Sequence, residues 1–459
     1  MTGEAIIAEL KDLQPIEGAD RIVSSTIFGE TVIVSKEHKA GELGILFDCE
    51  TELSHEFCSK NNLYRHSNLN VDESKTGYLE DSRRVRPIRL KGVKCSGLWM
   101  PISSLEYTHK DKQLPDKSNL GQQFMNWGSY EICKKYQVVS NSPCQGNKQG
   151  KAKENLVPTF KEHVDTDQFM RNLQHVKPGS ILIVTEKLHG TSCRVGNLPV
   201  IYKTDNLLKK FSSWLLSKVL FKTNDENQHM VYKHVVGSRR VTKTIGDVAK
   251  EGESYYEHDI WTTTGELFRD KLEKGETVYY EIVGYLPDGK LIMPSQGNKK
   301  LKSFMDKDVY KDFVEAYGNT TSFTYGCQPK ECKVFVYRMT MTNMDGVSMD
   351  LSWDQVKMRC EQMGVQHVPE LKRIKAKAMS EAEETLHFHV QQEAISNRVV
   401  SMGEDPSTVF PMHLREGVCI RIDGESLTPK FLKQKGYLFK VLEGIIKDSG
   451  TVDTEEAES

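Results

Sequence analysis

Lys187 stands three positions after the apolar run Ile181-Leu182-Ile183-Val184 and three positions before Gly190, within ILIVTEKLHGTSCR, Ile181 to Arg194. A short continuous apolar run reads as a strand buried on both faces, which would hold the lysine rigidly where it emerges. A lysine amine attacks phosphorus only as the neutral base, so it needs apolar walls or neighbouring cations. Gly190 would let the backbone come close to phosphates, and Thr191 and Ser192 add hydroxyl donors. By itself the K-x-x-G pattern is weak, because a solvated Glu-Lys pair before a glycine turn produces it more often.

Other residues fit the same chemistry. Lys433 and Lys435, in FLKQK, are two apart on an expected strand and therefore share a face, where two fixed cations could hold a triphosphate. Glu281 in VYYEIVG and Glu416 in REGVCIR lie at or beside apolar strands, a suitable place for carboxylates that bind Mg²⁺ directly or through its waters. Tyr337, in VFVYR, sits in an alternating run and reads as a core aromatic or as a platform for a base. Taken singly, each of these is also an ordinary strand residue.

Their order along the chain adds what the single patterns lack. Glu186-Lys187-Leu188-His189-Gly190-Thr191 resembles the first motif of the ATP-dependent RNA ligases, a branch of the lysine nucleotidyl transferases that also holds DNA ligases and mRNA capping enzymes. Five later segments resemble the remaining motifs in the family's order. They are Gly237-Ser238-Arg239-Arg240, with Arg239 the better match and Arg240 the reserve, then the segments of Glu281, Tyr337 and Glu416, and finally the lysine pair. The resemblance implies ATP and Mg²⁺ or Mn²⁺ as cofactors, and a reaction that joins a 3′-OH to a 5′-phosphate through a lysyl-AMP. Lys187, Arg239, Glu281, Glu416, Lys433 and Lys435 would be catalytic. Glu186, His189, Gly190 and Tyr337 would bind the nucleotide, with Tyr337 stacking on adenine, and Glu281 and Glu416 would meet the metal. The implied partner is RNA, as a nicked duplex, and the implied enzyme is a monomer. A DNA ligase, a capping guanylyltransferase, or a degenerate transferase that only binds RNA stay open as alternatives.

The elements that must position these residues suggest an α+β protein. Residues 1–150 carry short apolar runs such as Thr31-Val32-Ile33-Val34 and Gly44-Ile45-Leu46-Phe47 between glycine and charged turns, the texture of a small β-barrel. Pro15 to Ile22, Arg89 to Gly92 and Ser96 to Pro101 resemble the amino-terminal OB-like module of one group of template-dependent RNA ligases, which implies a nucleic-acid clamp. Arg83 to Lys94, RRVRPIRLKGVK, supplies a basic strand in which Arg89 and Lys91 alternate with Ile88 and Leu90, as in a half-buried strand. A Gly, Lys and Asn-rich linker follows from Gln145 to Pro158. The transferase domain of antiparallel sheets with flanking helices is expected over 151–445, and residues 446–459 form an acidic disordered tail.

Two segments depart from the family pattern. Asp205 to Lys222 reads as an amphipathic helix that covers the core or meets a partner. Trp353 to Val399 has helical periodicity, with Ser380 to Glu383 opening like a capping box.

Composition excludes several classes. With 459 residues, 38% hydrophobic and 27% charged, the chain is globular and long enough for two or three domains. The net charge of −2 excludes wholesale polyanion binding, so a nucleic-acid surface must be local. No apolar stretch is long enough to span a bilayer, and the ten cysteines lack framework spacing, which together suggest reduced thiols and an intracellular, cytoplasmic protein. Cys327 and Cys332 lie close, but a zinc site would need a second pair.

Overall fold

The computed structural model describes residues 5–49, 51–136, 157–164, 166–203, 228–246, 248–249, 259–423 and 428–443. Most of the expected linker, the boundary near 150, the helix expected at Asp205 to Lys222 and the acidic tail lie outside the described residues.

Two sheets, antiparallel except where the short strands Asp167–Gln168 and Gln366–His367 pair in parallel, carry the candidate chemistry. One has five strands in the order Asp167–Gln168, Lys430–Lys435, Gly417–Asp423, Ile181–Lys187, Glu370–Lys375. In the other, Thr191–Lys203 pairs with Gln228–Ser238 on one side and with Glu276–Gly284 on the other, and Cys332–Thr342 follows. Leu188 to Gly190 is the crossing between the sheets, so Lys187 is the last residue of the first sheet before the chain enters the second. Gly190 is demanded by that crossing, since a Cβ there would run into the carbonyl oxygen of Ile282.

Each sheet is covered on its outer side. Ile183, Cys193, Val195, Val278, Tyr280 and Ile282 form one core with Trp261 and Trp353. Leu182, Val184, Val418, Ile420 and Leu432, on the other face of the five-stranded sheet, pack with Phe388, Ile395 and Val399 of the helix Glu381–Gly403. That helix opens with the expected capping box: Glu383 N–H donates to Ser380 Oγ, and Ser380 N–H to Glu383 Oε2 at 3.0 Å. The segment from Trp353 is not helical throughout. After the helix Trp353–Met363, residues Glu370–Lys375 form the edge strand of the five-stranded sheet, where only Ile374 is buried.

The amino-terminal residues build a four-stranded sheet in the order Gln123–Phe124, Ala5–Glu9, Leu43–Asp48, Gly97–Pro101, and a three-stranded sheet of Gln14–Pro15, Ile22–Ile27 and Glu30–Ser35. Thr31 and Ser96 link the two, with Ser96 N–H donating to Thr31 O at 2.9 Å. Among the described residues the strand pairings do not close into a barrel. Ala5–Glu9 is buried on both faces. Ala5 and Ile7 enter a local core with Phe47, Phe57 and Trp127, whereas Ile6 and Ala8 join the core beneath the five-stranded sheet. This module is thus a layer of the protein and shares its interior.

The basic strand is inverted relative to expectation. Ile88 and Leu90, in a two-stranded ribbon with Val93–Cys95, are exposed, while Arg89 folds inward to Met305 O and the carboxylate of Asp306. Among the described residues no helix is long and apolar enough to cross a membrane, and the nine described cysteines form no disulfide.

Candidate active site

The register of the five-stranded sheet determines which side chains meet. Lys187 is opposite Gly417, and Gly417 opposite Lys435, so these three form one cross-strand row. Thr185, Cys419 and Lys433 form the next, and Ile183, Arg421 and Phe431 the third. Residues in a row share a face. Gly417 leaves a gap between the two lysines, and the carboxylate of Glu416 occupies it. Its Oε1 is 2.9 Å from Lys187 Nζ and 3.6 Å from Lys435 Nζ. Lys435 also donates to Glu443 Oε2 at 2.9 Å. All four side chains are at least nine-tenths buried, so this is an interior chain of alternating charges.

A cavity opens beside Lys187, between the two sheets. Lys187, Gly190, Arg239, Glu281, Tyr337 and Lys433 line it. Ser192 and Glu281 are cross-strand partners there, and Ser192 Oγ is 2.7 Å from Tyr337 Oη. Burial, and after it the charge of Glu281, pushes the Tyr337 hydroxyl well above the usual phenol range, so the ring is held as a neutral surface. Arg194 fixes the loop that carries Arg239: its guanidinium donates to Ser238 O, Phe160 O and Arg240 O at 3.2, 2.8 and 3.2 Å. Burial lowers the Arg194 pKa, an unusual position for a guanidinium and a measure of how dry this corner is. Arg239 is half-buried in the cavity wall, whereas Arg240 is exposed.

Four expected residues sit differently. Glu416 and Lys435 lie behind the lining in the ion chain just described. His189 is also behind it, packed between Phe323 and Phe439, with Nδ1 3.7 Å from Glu416 Oε2 and its backbone N–H on Tyr325 Oη at 2.6 Å. Glu186 contributes to the cavity wall, but by strand alternation its carboxylate faces the other way, accepting from Ser407 Oγ at 2.5 Å and Thr408 N–H at 2.8 Å. That is a structural tie for the loop before Glu416.

Sequence reasoning missed His163, Trp353, Arg421 and Phe431, which also line the cavity. His163 is 5.0 Å from Tyr337 and 5.2 Å from Phe431, ring to ring, and its Nδ1 is 3.3 Å from Arg338 Nη1. Arg421 donates through Nε to Asp423 at 2.7 Å and through Nη2 to Leu351 O at 2.5 Å, and its buried Nη1 has no partner among the described residues. The five-residue spacing of Arg421 from Glu416 was the only signal for it. No group of three or more His, Cys, Asp or Glu among the described residues could hold a metal ion.

The RNA ligase family model matches residues 180–442, more than half of the chain and every strand of both sheets around the cavity except Asp167–Gln168. The chain belongs to the RNA ligase family. No curated protein matches it. Among solved structures, this family member is similar to Naegleria gruberi RNA ligase. An alanine mutant of that protein with ATP and Mn is 15% identical, over 95% of this chain and 98% of that one, with a TM-score of 0.45. Another mutant, with AMP and Mn, is 16% identical over the same shares with a TM-score of 0.45, and the form with PPi is 15% identical over 96% and 98%, with a TM-score of 0.44.

Proposed function

We propose that this family member is an ATP-dependent RNA ligase that works through a lysyl-AMP on Lys187 and seals nicks in duplex RNA. The observation that carries the reading is the convergence of Lys187, Lys433, Arg239, Glu281 and Tyr337 on one cavity, with Glu416 and Lys435 directly behind the nucleophile. Adenine would lie against Tyr337, with His163 and Phe431 at its edge. Lys433 would offset charge on the triphosphate. Lys187 Nζ would then attack the α-phosphorus, lose a proton and expel pyrophosphate. The AMP would pass to the 5′-phosphate of the RNA, and the 3′-OH would displace it. Arg239 would meet the nucleotide or the 5′-phosphate.

Glu416 and Glu281 are the residues that would hold Mg²⁺ or Mn²⁺. One or two carboxylates suit Mg²⁺, which takes its other ligands from phosphates and water. When bound, the ion would neutralise charge on the phosphates. We further read residues 1–150 as an OB-like RNA-binding module and the enzyme as an intracellular monomer. Lys91, exposed at the tip of the inverted ribbon, is the cation we assign to backbone contact. Lys91→Glu should weaken sealing at raised salt and leave adduct formation unchanged.

The deciding experiment is labelling with ATP carrying a radioactive α-phosphate. Wild type should take up acid-labile label and Lys187→Ala none. Label retained on the mutant would remove Lys187 from the reaction. Sealing of nicked RNA duplex against nicked DNA and single-stranded RNA then defines the substrate.

A further inference from the structure

We infer that Glu443 is a positioning residue of the ligase reaction, acting through Lys435. This rests on the reading of Lys187 as the nucleophile. Lys435 lies between two carboxylates, Glu416 Oε1 at 3.6 Å and Glu443 Oε2 at 2.9 Å, so the nearer partner is the one outside the recognised motifs. Glu416 is itself shared, 2.9 Å from Lys187 Nζ. With Glu443 in place, Lys435 is held by its own counter-ion, and Glu416 stays with the nucleophile. Without it, Lys435 would lose its nearer carboxylate, and its remaining ion pair with Glu416 would compete with that of Lys187.

The geometry makes Glu443 a fixed point. It lies in the helix Tyr437–Glu443, immediately after the lysine strand, and that helix is pinned from three sides. Phe439 packs on His189 and Phe323 with ring centroids 5.0 and 5.6 Å apart. Lys300 Nζ donates to Leu442 O at 2.6 Å. Lys440 reaches Cys49 of the amino-terminal module, its Nζ 3.8 Å from the sulfur. Glu443 is thus set by packing on both the catalytic sheets and the module, and it passes that placement to Lys435.

The test is a double-mutant cycle on single-turnover lysyl-AMP formation, with Lys187→Ala as the control. Glu443→Gln keeps the shape and removes the charge, and should slow adduct formation about tenfold, the scale of one charge-assisted contact. Lys435→Met should slow it further. In the Lys435→Met background, Glu443→Gln should then add nothing, because Glu443 acts through Lys435. Losses that multiply in the double variant would make Glu443 a merely structural residue and overturn the inference, as would wild-type rates for Glu443→Gln. Should Glu443→Gln fold poorly, Lys435→Met with Glu443→Leu strands no buried charge. A rate equal to Lys435→Met alone supports the inference, and a slower one refutes it. Label that survives Lys187→Ala would fail the underlying reading instead, which separates the two cases.

Discussion

Leu432 and Lys433 are neighbours in one strand, yet they belong to different worlds. The face of the five-stranded sheet that holds Lys433 carries Lys187, Arg421 and Lys435 and looks onto the cavity. The face that holds Leu432 carries Leu182, Val184, Val418 and Ile420 and is covered by the helix Glu381–Gly403, in a core that the amino-terminal module shares. Strand alternation makes this possible, since one residue of register separates a reactive surface from a sealed one. What the contrast teaches is that rigidity and chemistry are supplied by the same three strands, on opposite sides.

Substitutions at adjacent positions should therefore differ in kind. Leu432→Ala should destabilise the protein by about 2–5 kcal/mol, read by denaturant unfolding, while leaving the rate of adduct formation per folded molecule unchanged. Lys433→Ala should do the reverse, slowing adduct formation on the order of 100-fold with little change in unfolding. If both substitutions altered both readouts equally, the two faces would not be independent.

The seam between module and sheet gives a second comparison. Burial holds the Glu30 carboxyl up to about 7, with the nearby charge of Lys440 and a hydrogen bond from Ser96 opposing the shift. A raised carboxyl pKa means that the folded state keeps a proton which the unfolded chain gives up. Its contribution is therefore intact below the unfolded pKa near 4.5 and is lost as pH rises toward about 7. Wild type should lose up to about 1.4 kcal/mol per pH unit across that window from this group, and Glu30→Gln should flatten the profile. A wild-type profile already flat between these values would show that the seam is not dry. The smallest effect belongs to the inverted ribbon, where Ile88→Ser should change stability by less than about 0.5 kcal/mol, as for other exposed positions.

The cavity face was largely readable from sequence because its signals are local. Ile181 to Lys187 is an apolar run ending in charge, and Lys433 and Lys435 show the two-residue period of a strand. The residues that were misread depend on partners far away. Arg89 turns inward because Asp306, 217 positions later, receives it, and Glu186 turns from the cavity toward Ser407, 221 positions away. Glu370–Lys375 gave no strand signal because ELKRIK buries a single apolar side chain at a sheet edge, where charge is the usual composition. His163 escaped notice for a related reason: its meaning comes from Arg338, Tyr337 and Phe431, which only the fold assembles.

The two-faced burial of Ala5–Glu9 has a consequence for synthesis on the ribosome. Ile6, Ala8 and Leu46 share one core with Leu182, Ile420 and Leu432, the last of which is translated about 300 residues after the module ends. At ordinary elongation rates the nascent module waits roughly 15–60 s with that surface open to solvent. Chaperone capture of arrested chains is the expected signature, greatest for chains halted before Gly417 and relieved once the Lys430–Lys435 strand has emerged.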